Sequence, residues 1–182
     1  MLLEQEFTLT IFSENQVGLL TQITNVFTRR NLNIESLTTS ESAIEGIHKF
    51  TIVTISTREE IDKVAKQIEK RIDVIKAFVL TDEEIIHQEI ALYKVPTKTL
   101  LNGDGIEKLV RQYGAHILEI TEEYTVIEKT GYKEETQELF EKMDQYGVVQ
   151  FTRSGRIAIT KLNSELLDNY LRKKEMDKKL EN

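Results

Sequence analysis

Hydrophobic spacing constrains this chain more than any other feature. Its apolar residues switch between a period of two and a period near 3.6, in the same order twice over. Residues 7–13 (FTLTIFS) alternate apolar and hydroxyl side chains, the pattern of a half-buried strand. Leu19, Leu20, Ile23, Val26 and Phe27 recur at helical spacing, so residues 19–30 read as a helix packed by one face. Residues 33–39 and 47–55 read as second and third strands, joined by a loop over 40–46. Thr57 with Glu60 forms a capping-box signature, and Ile61, Val64 and Ile68 then stripe a helix to about residue 70. Residues 74–80 (VIKAFVL) close the unit as a fourth strand. The order is βαββαβ, the ferredoxin-like split βαβ of an α+β fold.

The second half repeats that order, which predicts tandem ferredoxin-like domains. Residues 85–95 form a strand ended by Pro96, the chain's single proline. A loop over 96–105, through Gly103 and Gly105, leads to a short helix ending near Tyr113. Strands follow over 116–121 and 124–130, a helix over about 133–145, and a bent final strand over 148–152 and 157–159. Sliding the halves past one another lays residues 26–34 over 109–117, each a helix end, a turn and an apolar strand. The domains expected are residues 1–82, residues 83–161 and a charged helical tail over 162–182. That tail is either an exposed, fraying helix or a docking helix for a partner.

The chain has 182 residues, no cysteine and a formal charge of −7. Negative charge argues against nucleic-acid and anionic-membrane partners, and the absence of cysteine excludes disulfides and thiolate metal sites. No apolar run reaches membrane-spanning length and no signal segment opens the chain, so a cytoplasmic protein is expected.

Chemistry concentrates at Asn15, Gly18, Leu19 and Leu20, answered by Asn33 and Ile34. A glycine before a helix permits close backbone approach, and the helix N-terminus offers free N–H groups to a carboxylate. Asn15 can donate and accept, which suits either end of an amino acid. Asn33 faces the same loop, from the same subunit or from a twofold mate, and Leu19, Leu20 and Ile34 could wall an apolar side-chain pocket. The same residues also make an ordinary turn and cap. His48, His87 and His116 lie far apart in sequence, which argues against a metal. Glu59-Glu60 and Glu134-Glu135 sit in first helical turns, where acids suit the dipole; Glu83-Glu84 and Glu122-Glu123 fall at turns. Gly103-Asp104-Gly105 reads as a loop by default, with a phosphate role the minor alternative. Nothing assembles a nucleophile with its base, so a catalytic role is not expected.

The order Glu14-Asn15-x-x-Gly18-x-Leu20, then Phe27-x-x-Arg30-x-x-Asn33-Ile34-x-Ser36-Leu37, resembles the opening of the acetolactate synthase (acetohydroxyacid synthase) small, regulatory subunits, an ACT-domain family. Gly114-Ala115-His116-Ile117, Glu122-x-Tyr124-Thr125-Val126, Thr130-Gly131, Tyr146-Gly147-Val148-Val149 and Thr152-Arg153-Ser154-Gly155-Arg156-Ile157-Ala158 are similar to that family's C-terminal domain. The family often has Leu-Ser-Arg where this chain has Leu20-Thr21-Gln22. The resemblance implies an N-terminal ACT domain binding a feedback inhibitor, usually valine, at a homodimer interface. Its ligand contacts would fall on Asn15, Gly18, Leu19, Leu20, Asn33 and Ile34. It also implies a C-terminal domain that helps activate a separate catalytic subunit of branched-chain amino-acid biosynthesis. That partner, and not this chain, would carry thiamine diphosphate, Mg²⁺ and FAD. A stand-alone tandem-ACT sensor acting on another enzyme or on transcription is the alternative.

Overall fold

The computed structural model describes residues 3–101 and 105–180. Gly103 and Asp104 of the expected loop, and the last two residues of the tail, lie outside the described residues. The chain divides into two compact units, one running to Ile86 and resuming at Arg156, the other spanning His87–Gly155.

The first unit begins with β1 (Gln5–Glu14), α1 (Leu19–Arg29), β2 (Ser36–Glu41), β3 (Ile47–Ser56), α2 (Arg58–Ile68) and β4 (Val74–Leu80). Its antiparallel sheet runs β2-β3-β1-β4, the order of a ferredoxin-like fold. Phe7, Leu9 and Ile11 of β1 with Phe50 and Ile52 of β3 form one core with Ile23, Val26 and Phe27 of α1 and Ile61, Val64 and Ile68 of α2. Thr57 caps α2, its Oγ1 accepting from Glu60 N–H at 3.3 Å. The expected reciprocal half of that box is spent elsewhere: the Glu60 carboxylate takes Arg30 Nη1 at 2.6 Å. Strand β2 starts later than the apolar pattern suggests, because Thr54 Oγ1 donates to Asn33 O at 2.6 Å and holds that segment outside the ladder.

The second unit is built on β5 (Ile85–Pro96), α3 (Thr97–Leu101), α4 (Gly105–Gln112), β6 (His116–Ile120), β7 (Tyr124–Gly131), α5 (Lys133–Asp144) and β8 (Gln150–Arg153). The sheet order β6-β7-β5-β8 repeats that of the first unit. Ala91, Tyr93 and Val95 pack with Ile127 against Ile106 and Leu109 of α4 and Leu139 and Met143 of α5. A short helix, α3, stands where the sequence suggests only a loop. The internal repeat is visible at one turn. Asn31 (φ 53°) and Gly114 (φ 58°) occupy the aligned position after α1 and α4. Leu32 N–H then donates to Phe27 O at 3.0 Å, as Ala115 N–H does to Val110 O at 2.8 Å.

After β8 the chain forms β9 (Ile157–Thr160) and α6 (Leu166–Leu180), both counted with the first unit. The single bent strand expected over 148–159 is thus two strands, β8 and β9. Lys161 N–H meets Glu84 O at 2.9 Å. This return segment explains a second departure. The hydroxyl face of β1 is buried, with Thr8 and Thr10 at most 2 % exposed. Arg156 Nη1 donates to Thr8 Oγ1 at 2.9 Å, and Lys49 Nζ donates to Ala158 O at 2.8 Å. Ala158 clusters with Leu80 and Ile85, against Phe78 and Leu166. Burial lowers the Lys49 ammonium below its ordinary pKa, with Glu165 opposing that shift.

Candidate functional site

Gly18 is the N-cap of α1, at φ 85° and ψ −8°. A residue with a Cβ pays roughly 1–2 kcal/mol to adopt such a left-handed conformation. A Cβ added there would meet no atom within 4 Å, so backbone conformation rather than crowding selects glycine. Gln16 N–H donates to Glu14 O at 3.1 Å and Leu19 N–H to Gln16 O at 3.3 Å, which winds the exposed 14–18 segment into the helix. No side chain caps α1 and its first turn carries no acid. The helix start therefore keeps its positive end available to an anion. Asn15 lies exposed on this turn, Leu20 is 41 % exposed beside it, and Leu19 is anchored in the core.

Asn33 and Ile34 lie elsewhere. Asn33 is exposed just before β2, its Nδ2 donating to Glu35 Oε1 at 2.7 Å, and Ile34 packs half-buried against the core. Asn33 O sits beside Thr54, whereas Asn15 follows Glu14, the partner of Ile47. Residues 47–54 of β3 span roughly 23 Å. Within one chain the two sets of site residues therefore occupy opposite ends of the sheet. Between those ends runs β2, an edge strand. Thr38 Oγ1 on β2 is buried without a hydrogen-bond partner among the described residues.

Several of the remaining polar candidates have structural partners. His48 is 3.9 Å from Glu41, His116 is 3.3 Å from Glu128, and His87 stacks edge-on to Tyr132 with ring centroids 5.0 Å apart. Glu84 Oε2 accepts from Thr81 N–H at 2.8 Å, and Glu135 Oε2 does the same for Tyr132 N–H at 2.8 Å. Among the described residues no group of three or more His, Asp or Glu could hold a metal ion. No described helix is long and apolar enough to cross a membrane. One buried cation escapes a reading by spacing. Arg156 is 8 % exposed, with Asp82 Oδ1 at 3.0 Å from Nη1 and Glu6 Oε1 on Nη2. The available signal was a lone arginine entering the apolar run Ile157-Ala158-Ile159.

Comparison with known proteins agrees with this geometry in both units. Residues 9–76 match the AHAS small subunit-like ACT domain, and residues 88–162 match the small subunit of acetolactate synthase. The acetolactate synthase small subunit of Bacillus subtilis is 29 % identical over 158 residues, covering 84 % of this chain and 89 % of the relative. A probable acetolactate synthase small subunit of Archaeoglobus fulgidus is also 29 % identical over 158 residues, covering 87 % and 98 %. The crystal structure of the acetolactate synthase small subunit of Thermotoga maritima superposes with a TM-score of 0.79 at 26 % identity, covering 88 % of this chain and 99 % of that one.

Proposed function

The chain belongs to the family of acetolactate synthase small subunits, and from that premise we propose that it regulates a separate acetolactate synthase catalytic subunit. In this reading it activates that subunit and confers feedback inhibition by valine, or a related amino acid, bound between two ACT domains. Thiamine diphosphate, Mg²⁺ and FAD belong to the catalytic partner. The supporting observation is the roughly 23 Å between the Gly18 turn and the Asn33 segment of one chain. A single ligand contacting both needs a second copy. A twofold pairing along edge strand β2 sets the β2 start of one chain toward the β2 end of its mate, and also covers an open strand edge.

The amino-acid carboxylate then lies on the uncapped N–H groups at Gly18, and the side-chain amide oxygens of Asn15 and the mate's Asn33 accept from the ammonium. A ligand held by both chains biases their relative orientation, and a catalytic subunit docked on the same pair senses it. A coupling of roughly 1–3 kcal/mol suffices, and it is reciprocal, so catalytic-subunit binding shifts valine affinity by the same factor.

The test is acetolactate formation by the catalytic subunit with and without this chain, across valine, leucine and isoleucine. Gly18→Asp is expected to remove inhibition and keep activation, because its carboxylate repels the ligand's. Gly18→Ala carries the backbone strain without the charge and is the control. Normal valine inhibition in Gly18→Asp would sink the assignment. Mixing Gly18→Asp chains with Asn33→Ala chains tests the sharing itself. A site built from two chains leaves one intact site per mixed pair and recovers inhibition, whereas a site within one chain stays broken in both.

A further inference from the structure

On the helical side of the first unit, a cleft of about 500 Å³ is lined by Arg30, Lys63, Lys66, Gln67, Lys70 and Arg71. Five of these six are cations, in a chain whose formal charge is −7. Two are already matched: Arg30 by Glu60 at 2.6 Å, with its Nε on Gln67 Oε1 at 3.0 Å, and Lys63 by Glu59 at 2.7 Å. Lys66, Lys70 and Arg71 have no ion-pair partner among the described residues. Arg71 Nε is in addition buried with no hydrogen-bond partner, so one donor of its guanidinium fork is unsatisfied. Basic residues near the end of α2 suit the helix dipole. The dipole does not explain why Arg30 converges on the same cleft from α1, nor the orphaned Arg71 donor.

We propose that this cleft is a binding site for a small molecule carrying a di- or triphosphate group. Its volume is that of a small-molecule site rather than of a nucleic-acid track, and the net charge disfavours nucleic acid. An amino acid is a poor fit, because the nearby carboxylates of Glu59 and Glu60 are occupied and nothing is left for an ammonium group. Lysines act as point charges on phosphate, while arginine forks bind its oxygens in pairs. An anion here satisfies the orphaned Arg71 donor and the two unmatched lysines together.

Isothermal titration of the full chain with sodium tripolyphosphate, at low ionic strength and without any amino acid, tests this independently of the effector reading. Saturable binding of one tripolyphosphate per chain is expected, weakening as salt is added. The double substitution Lys66→Gln with Lys70→Gln weakens it about tenfold. Arg71→Lys, which keeps the charge and loses the fork, weakens it as well, with thermal melts confirming that it folds. Lys173→Gln with Lys174→Gln, on exposed α6, leaves binding unchanged. No saturable binding, an equal loss in the α6 pair, or citrate binding as tightly as tripolyphosphate would overturn the proposal.

Discussion

The two units share a strand order but treat their sheets differently. In the first, β1 is buried on both faces, since Arg156, Ala158 and Leu166 return over its hydroxyl side. In the second, Leu92, Lys94, Tyr124, Val126 and Thr152 line a shallow cleft on the corresponding face, with Lys94 3.9 Å above the Tyr124 ring. Their first turns differ too. After β1 an exposed turn reaches Gly18 before α1 begins, whereas β5 passes directly into α3. There Thr97 points its hydroxyl inward, to Thr121 O at 2.8 Å and Thr125 Oγ1 at 3.0 Å. One topology thus yields an open helix start in the first unit and a filled turn in the second. The ferredoxin-like fold permits a ligand site without dictating one.

Three substitutions probe that contrast beyond Gly18→Asp. The largest effect is expected for Arg156→Met, which leaves Glu6 and Asp82 without their shared cation. Breaking a buried ion pair costs several kcal/mol, and because Asp82 is 52 % exposed the expected loss is about 2–3 kcal/mol. Urea denaturation measures it, and amide exchange should place it in β1 while β7 stays protected; equal loss in both sheets would break the comparison. Thr97→Val strands the Thr121 carbonyl and Thr125 hydroxyl, and about 1–2 kcal/mol is expected to be lost with the proposed valine inhibition unchanged.

Tyr93→Phe has the smallest effect. It removes the bond from Tyr93 Oη to Thr136 O at 2.7 Å, worth about 1 kcal/mol. It also changes the alkaline limb. Burial raises the Tyr93 phenol above its ordinary 10.0, so the folded chain holds a proton that the unfolded chain gives up. That contribution is complete below about pH 10 and fades as pH climbs through the raised value. The Phe variant is expected to show a flatter decline of stability above pH 10, read from denaturation midpoints.

Local pattern made much of this legible. Strand β4 has the bounds that VIKAFVL suggests, and the Thr57 cap starts α2. The alignment of residues 26–34 with 109–117 found a shared turn because Asn31 and Gly114 both terminate a helix. Features depending on distant residues were not legible. Thr54, from β3, decides where β2 begins, and Glu6 and Asp82 decide where Arg156 is buried. Within the site, the Gly18 turn could be read from residue type and neighbours. The placement of Asn33 at the other end of the sheet needed the strand register. The basic cleft went unseen for a related reason. The stripe of Ile61, Val64 and Ile68 defines the buried face of α2, while convergence of Arg30 on its other side is a tertiary fact.

Arg156 is 150 residues from Glu6 in the chain. At a synthesis rate of about 5–20 residues per second, roughly 4–15 s pass between completion of β4 and the appearance of the segment that covers β1. For that interval the nascent first domain can pack its helices but has one naked sheet face. That face presents Thr8, Thr10 and Thr51, which water can solvate, rather than an unbroken apolar surface. Hydroxyls that look unremarkable in the finished protein are thus suited to keeping a half-made one from sticking to its neighbours while it waits for its own C-terminal segment.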